Sequence, residues 1–265
     1  MQINNFLIGS DIEVFLRDRS SLKLISAAGD INSSFLPLVP GTKAKPYYID
    51  EDKKFAIETD NVSVEFLVPP TTNEDEFVKN IQYMMEYISN SIPAYLEPLA
   101  IASGEFDSDQ LLTAQALTFG CDKDLNAWTG KYNRSPDTLT NLRSNGFHIH
   151  IGYDDPNTET SFELIKALDL FIGLDSLLMD DDINRRTLYG KAGACRLKPY
   201  GVEYRVLSSK LISNPDHIRT VFRKTLQAID FINSGKRVEE EHGKQIVKAI
   251  NTNNVEKIKE LCVEL

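Results

Sequence analysis

The chain has 265 residues, 42% of them apolar and 26% charged, which excludes a disordered tail protein and a fibrous one. Its 29 basic and 39 acidic residues leave a net charge of −10, arguing against nucleic-acid binding by phosphate neutralisation and against docking on an anionic membrane. Three scattered cysteines (Cys121, Cys195 and Cys262), no basic leader with an apolar run behind it, and no apolar stretch of 18 residues lead to the expectation of a soluble cytoplasmic protein without disulfides.

Residues 6–17 read as a strand, and 22–27 as a second that can pair with it. Pro40 and Gly41 mark a loop over 38–46. Strands follow at 55–57 and 62–68, and Pro69 and Pro70 should stop the second. Asn73 can cap a helix through about Ser91, with Glu76 three residues on as in a capping box. Residues 95–103 read as a strand, 107–145 as mixed and loop-rich with an irregular loop at 120–130, and 147–153 as a strong strand. The stretch 161–179 is an amphipathic helix whose spacing of Leu164, Leu168, Phe171, Ile172 and Asp175 describes a core face. Residues 184–201 form a basic, glycine-bearing loop, 202–207 a strand, and 215–233 and 239–264 helices. Strands adjacent in sequence, interleaved with helices, predict an α+β domain with a largely antiparallel sheet and helices on one face. That domain would run over 1–235, with Gly235 hinging a helical appendage at 236–265 packed on it.

Side chains alternate across a strand, so residues i and i+2 share a face. In four strands the polar face has an unusual make-up. Asp11 and Glu13 oppose Ile12, Val14 and Leu16; Ser63 and Glu65 oppose Val62, Val64 and Phe66. His148 and His150 oppose Phe147, Ile149 and Ile151; Glu203 and Arg205 oppose Val202, Tyr204 and Val206. A plain solvated face is the ordinary reading of any one of these strands, but such faces are rich in Thr, Lys, Ser and Gln, whereas these carry carboxylates, imidazoles and a guanidinium. If the strands share a sheet, Asp11, Glu13, Glu65 and Glu203 form a floor that repels itself and resists desolvation. Divalent cations are the natural remedy, and carboxylates with one imidazole suit Mg²⁺ or Mn²⁺.

The loop before the last strand carries Arg185, Arg186, Lys191, Arg196 and Lys198 with Gly190, Gly193 and Gly201, which suits a polyanion approached by backbone as well as a solvated loop. Lys43 lies in a GTK that resembles part of a phosphate loop, although neither G-x-x-x-x-G-K-[ST] nor G-x-G-x-x-G is present. Metals on an acidic floor beside a basic loop point to a phosphorylated substrate, with a nucleoside triphosphate foremost.

These segments resemble the phage-type COOH-NH2 ligases, type 2, a branch of the glutamine synthetase and glutamate–cysteine ligase fold. The resemblance rests on GSDIEVFL (9–16), PGTKAKP (40–46), TDNVSVEFLVPP (59–70), FGCDKDLNAWTG (119–130), NGFHIHIGY (145–153) and YGKAGACRLKPYGVEYRVLS (189–208). It implies a glutamine synthetase-like catalytic domain, a curved antiparallel sheet with a concave active-site face and helices on the other, that joins a carboxylate to an amine at the expense of ATP. It implies metal ligation by Asp11, Glu13, Glu65, His148 and Glu203, and contact of His150 and Arg205 with ATP phosphate. Lys43, Arg186 and Lys191 are further expected nucleotide contacts. Arg205, with Arg196, would neutralise the transferring phosphoryl group. The first acidic pair is Asp-x-Glu where glutamine synthetase has Glu-x-Glu, and there is no room for that enzyme's oligomer-forming elements, so its assembly is not carried over and an oligomer stays open.

Asp60 and Asp122 are candidate bases for the amine only by their place in matching segments. Asp122 and Asp124 read equally as turn residues. Tyr189 and Lys191 are candidates for holding a substrate carboxylate. The expected partners are small-molecule or peptide substrates, one a carboxylate and one an amine. Three other readings compete: a guanidino-kinase-like phosphotransferase of the same fold, a metal hydrolase built on H-x-H with His217 and His242, and a metal-binding module without catalysis. The last would be marked by loss of the basic residues or of the E-x-R strand, and both are present. Trp128 reads as packing rather than base stacking, and nothing near Cys195 marks a nucleophile.

Overall fold

The computed structural model describes residues 2–28, 41–52, 54–117, 123–134 and 140–261. Cys121, Cys262, Asp122 and the first part of the 38–46 loop lie outside them. Its strands are β1 (Leu7–Asp18), β2 (Leu24–Ile25), β3 (Tyr47–Tyr48), β4 (Ala56–Asp60), β5 (Ser63–Thr71), β6 (Leu96–Leu99), β7 (Ser103–Glu105), β8 (Leu125–Asn126), β9 (Lys131–Tyr132), β10 (Leu142–Ser144), β11 (Phe147–Gly152), β12 (Ala194–Lys198) and β13 (Gly201–Tyr204). The helices are α1 (Glu74–Ser91), α2 (Ala114–Leu117), α3 (Thr158–Leu168), α4 (Leu174–Met179), α5 (Asn184–Leu188), α6 (Pro215–Asn233), α7 (Glu240–Asn251) and α8 (Glu256–Leu261).

One antiparallel sheet runs β3-β4-β5-β1-β11-β13-β12-β8-β9, and β2 and β6 pair with the second half of β1. The long β1 is its spine, bonded to β5 on one side and β11 on the other. The strand alternation read from the sequence holds in all four strands except at Val62, which lies in the turn before β5 and packs with Phe15 and Phe106 in a second, smaller cluster. Ile12, Val14, Leu16, Val64, Phe66, Phe147, Ile149, Ile151, Val202, Tyr204 and Val206 are fully buried on one face. There they share a core with Phe77 and Ile81 of α1, Leu164 and Leu168 of α3, Phe222 and Ile229 of α6, and Ile246 and Ile250 of α7. Burial of apolar area at about 25 cal/mol per Å² fixes which way each strand faces, because a one-residue slip would turn every one of these side chains outward. The charged residues are thereby held together on the opposite face.

Several elements differ from expectation. Pro69 and Pro70 do not stop β5, which continues to Thr71. The register against β1 shifts between Ile8 and Ser10, where the prolines lie, so their missing N–H groups cost the ladder nothing. Asn73 caps α1 by accepting from the Glu76 amide at 3.0 Å, but the Glu76 carboxylate takes the Thr71 hydroxyl at 2.5 Å instead of closing the capping box. The 161–179 helix starts at Thr158 and contains a π turn over Asp169–Gly173 between α3 and α4. The stretch 95–103 divides into β6 and the start of β7, and 239–264 breaks between Asn251 and Glu256 into α7 and α8. The supposed basic loop 184–201 is instead α5 followed by β12, whose alternation sends Arg196 and Lys198 to the same side as Glu203.

Candidate active site

Strand register brings the charged residues together. Asp11 is paired with His148 across β1 and β11, and His150 with Glu203 across β11 and β13. Glu203 is paired in turn with Arg196 of β12. Glu13 faces Glu65, and Glu65 faces Glu58 of β4. A two-residue turn at Asn61, whose φ of 55° is one that Asn tolerates well, returns the chain so that Asp60 joins the same group.

The Asp11 carboxylate bridges the two imidazoles, Oδ1 at 2.8 Å from His148 Nδ1 and Oδ2 at 2.9 Å from His150 Nε2. His148 Nε2 is backed against Gly146, where a Cβ would lie 2.1 Å away, so Nδ1 is the nitrogen that faces the acids. Glu13 Oε2 accepts the Gly146 amide at 2.6 Å. Arg205 donates through Nη1 to Glu203 and through Nε to Asp124 Oδ1 at 2.7 Å. Lys198 Nζ lies 2.8 Å from Glu203 Oε2, and Arg196 3.8 Å from Oε1. Lys43 Nζ lies 2.5 Å from Asp60 Oδ2 and 3.9 Å from Glu65 Oε2. Tyr200 completes the edge with its hydroxyl 2.6 Å from His150 Nδ1.

Three overlapping sets of donor atoms, each within 4.8 Å of one another, result: Asp11–His150–Glu203, Asp11–Glu65–His148 and Glu13–Asp60–Glu65. Burial works to raise the Asp11 pKa, but the charges of His150 and His148 override it and hold the group well below the carboxylate range. Glu203 is likewise opposed by burial and by Asp11, yet Arg205 and the histidines bring it down to about 2. Burial, Asp11, Asp60 and Glu13 push Glu65 well up, and burial also raises Glu58. His150 is raised: Asp11 outweighs the cost of burying its cation. The buried Glu65 Oε2 has no hydrogen-bond donor among the described residues. An oxygen stranded among four other carboxylates, beside an imidazole nitrogen, is the donor set of a hard divalent cation.

The cluster lies between two cavities. One, of only about 40 Å³, is lined by Glu13, Asp60, Asp124, His148, Arg143, Arg185, Tyr189 and Arg205. The other, of about 350 Å³ and mostly apolar, is bounded by Leu7, Leu67, Val68, Pro70 and Tyr200 and reaches Asp11 and His150.

Of the residues expected from sequence, Asp11, Glu13, Lys43, Glu65, His148, His150, Arg196, Glu203 and Arg205 meet here, and two do not. Arg186 is buried under the 190–206 region, its Nη1 bonded to the carbonyls of Gly190 and Val206 (2.8 Å for the latter). Its guanidinium is spent on backbone rather than open to a nucleotide. Lys191 lines neither cavity and forms no ion pair among the described residues. His217 and His242, on α6 and α7, belong to none of the donor sets. Cys195 is on the apolar side of β12, where burial pushes its thiol up to about 12. Trp128 packs on Gly243 and donates to Asp169, a packing role.

Sequence reasoning misses Glu58 and gives Asp60 a weak part because it ends β4 at Ile57. The alternation Glu58, Asp60 carries the signal. It leaves Asp124 as a turn residue and does not separate Lys198 from the loop. Arg185 is singled out only as one cation of the basic run, and Arg143 has no signal; both reach the cavity from outside the main sheet.

A family model described as phage phiEco32-like COOH.NH2 ligase, type 2, matches residues 141–260. The match takes in the H-x-H strand, the Arg196–Lys198 strand and the E-x-R strand, while the acidic strands β1 and β5 precede it. No curated protein matches the chain.

Proposed function

We propose, from the match of residues 141–260 to the phage-type COOH-NH2 ligases, that this protein is a carboxylate–amine ligase that uses ATP and Mg²⁺ and is built on a glutamine synthetase-like catalytic sheet. The observation that carries the reading is the meeting of Asp11, Glu65, His148 and Glu203 with Arg196, Lys198 and Arg205 on one face of the sheet. The three carboxylates and one imidazole would hold Mg²⁺, and the three cations beside them would bind phosphate oxygens.

ATP supplies the phosphoryl group that turns a carboxylate into an acyl phosphate, which an amine captures to give an amide, ADP and phosphate. The residues of this chain bind and orient. Arg205, fixed by Asp124 and Glu203, presents its guanidinium toward the transferring group, where a preorganised cation stabilises developing charge. His150, held by Tyr200 and Asp11, faces the apolar cavity and contacts phosphate at its mouth. That cavity has the size and lining for the nucleoside. The opposite cavity, small as it is, sets Arg143, Arg185 and Tyr189 at one end and Glu13 and Asp60 at the other, groups that suit the carboxylate and amine ends of small-molecule or peptide substrates approaching from outside. Asp60 stands at that wall as the acceptor of the amine proton.

The test is nucleotide turnover with Mg²⁺ and a panel of amino acids and peptides, read by mass. Ligation requires both an acid and an amine, forms a product lighter than their sum by one water, and releases phosphate. A phosphorylated acceptor without phosphate release assigns a kinase instead. Unchanged ATP affinity in Glu203→Ala and His148→Ala overturns the site.

A further inference from the structure

Behind the charged face, in the core, sits a carboxylate that the reaction does not use. Asp169 is fully buried in the π turn between α3 and α4. It collects three donors: Tyr204 OH at 2.8 Å on Oδ1, Trp128 Nε1 at 2.6 Å on Oδ2, and the Gly193 amide. Each donor belongs to a different site-bearing segment. Tyr204 lies between Glu203 and Arg205. Trp128 ends the 124–128 segment that carries Asp124, and its own amide is held by Asn126 Oδ1 at 2.9 Å. Gly193, with φ of 75°, makes the turn into β12, which carries Arg196 and Lys198.

We propose that Asp169 is a positioning residue: from the back of the sheet it ties together the three segments whose front faces carry Asp124, Arg196, Lys198 and Arg205, the phosphate-binding half of the site, along with Glu203 of the metal set. The other half, Asp11, Glu65 and His148, stands on β1, β5 and β11, none of which Asp169 bonds. The π turn itself fits this role. It inserts one residue into the helix just where Asp169 meets Tyr204, and Gly173 leaves room for the phenol, since a Cβ there would lie 2.7 Å from Tyr204 OH. Trp128 also rests on Gly243, so helix α7 closes the far side of the same device. A hydrogen bond between buried groups holds geometry more than it adds stability, and a loss of about 1 Å in the placement of binding groups is enough to cost catalysis heavily.

The inference rests on the reading that the face binds ATP and a divalent cation, and its test separates the two. Mn²⁺ binding is measured by electron paramagnetic resonance and ATP binding by titration with a fluorescent analogue, on the full chain. Asp169→Ala should weaken the analogue about tenfold or more and Mn²⁺, which keeps Asp11, Glu65 and His148 and loses only the placement of Glu203, by clearly less. Tyr204→Phe, which removes one oxygen and keeps the packing, should weaken it about threefold. The double variant should be no weaker than Asp169→Ala alone, because both act through one hydrogen bond. A wild-type chain that binds neither probe sinks the functional reading. A wild-type chain that binds both, with Tyr204→Phe unchanged or with Mn²⁺ and analogue lost in parallel, overturns the positioning role alone.

Discussion

Arg205 Nε donates to Asp124 Oδ1 at 2.7 Å, and both side chains are only 4% exposed. A residue that reads as part of a turn is thus the buried counter-ion of the arginine in the E-x-R strand. Fully stranding a buried charge costs roughly 3–5 kcal/mol, and Arg205 keeps Glu203 when Asp124 is lost, so the cost here falls at or below the lower end of that range. Asp124→Ala should therefore lower the melting temperature by about 5 °C, at roughly 2–4 °C per kcal/mol for a chain of this size. A double-mutant cycle with Arg205→Ala should recover much of that loss, since no unpaired charge remains. Strict additivity of the two single losses in thermal denaturation would contradict the pairing.

Gly146 precedes the H-x-H strand and is the position where chain and imidazole come closest. A Cβ there would stand 2.1 Å from His148 Nε2, while the Gly146 amide holds Glu13 Oε2 at 2.6 Å. Gly146→Ala must push the ring off Asp11, so Mn²⁺ affinity should fall about tenfold or more in a chain whose circular dichroism is unchanged. Unaltered Mn²⁺ binding would remove His148 from the metal set.

Asp11, Glu13, Glu65, His148, His150 and Glu203 are legible in the sequence because period-two alternation is a local rule, and burial of the apolar partners enforces it. The pairing of those strands is non-local, and only the similarity of charge type across four segments hints at it. Arg196 and Lys198 read as loop because Gly190, Gly193 and Gly201 surround a five-residue strand, too short for its period to stand out. Pro69 and Pro70 read as terminators because nothing local announces a bulge. Asp169 gives no signal at all, and Arg185 reads only as one cation of a basic run: what either touches depends on residues distant in the chain, such as the Leu207 carbonyl for Arg185 and Trp128 for Asp169.

Asp169 also makes stability depend on pH. Burial raises its pKa from the ordinary 3.8 to about 7, against the donors that lower it. The folded state therefore binds the proton more tightly than the unfolded chain does. The stabilisation from that proton is fully present below about pH 4 and is lost as pH rises toward 7. Asn cannot ionise, so the melting temperature of wild type relative to Asp169→Asn should fall steadily from pH 4 to 7 and level off above. At about 1.4 kcal/mol for each pH unit between the unfolded and folded pKa values, the change amounts to a few kcal/mol. A difference that stays constant across this window would show that Asp169 does not titrate there.

The acidic face gives the last prediction its sign. Glu65 and Glu58 are driven upward in pKa, and Glu65 Oε2 is stranded, because burial withdraws them from water while Asp11, Glu13 and Asp60 crowd them. A cation that binds the folded chain and not the unfolded one stabilises it by mass action, about 2.7 kcal/mol at a concentration 100 times its dissociation constant. Mg²⁺ or Mn²⁺ should accordingly raise the melting temperature by about 5–10 °C at that ratio, with EDTA reversing the rise. Asp11→Asn removes the carboxylate shared by two of the three donor sets and should abolish most of the increment. Ionic strength matched with NaCl must not reproduce the effect, because screening weakens the repulsion of exposed charges far more than that of buried ones. An equal rise with NaCl, or a full rise in Asp11→Asn, would assign the stabilisation to the general surplus of negative charge and not to coordination at this face.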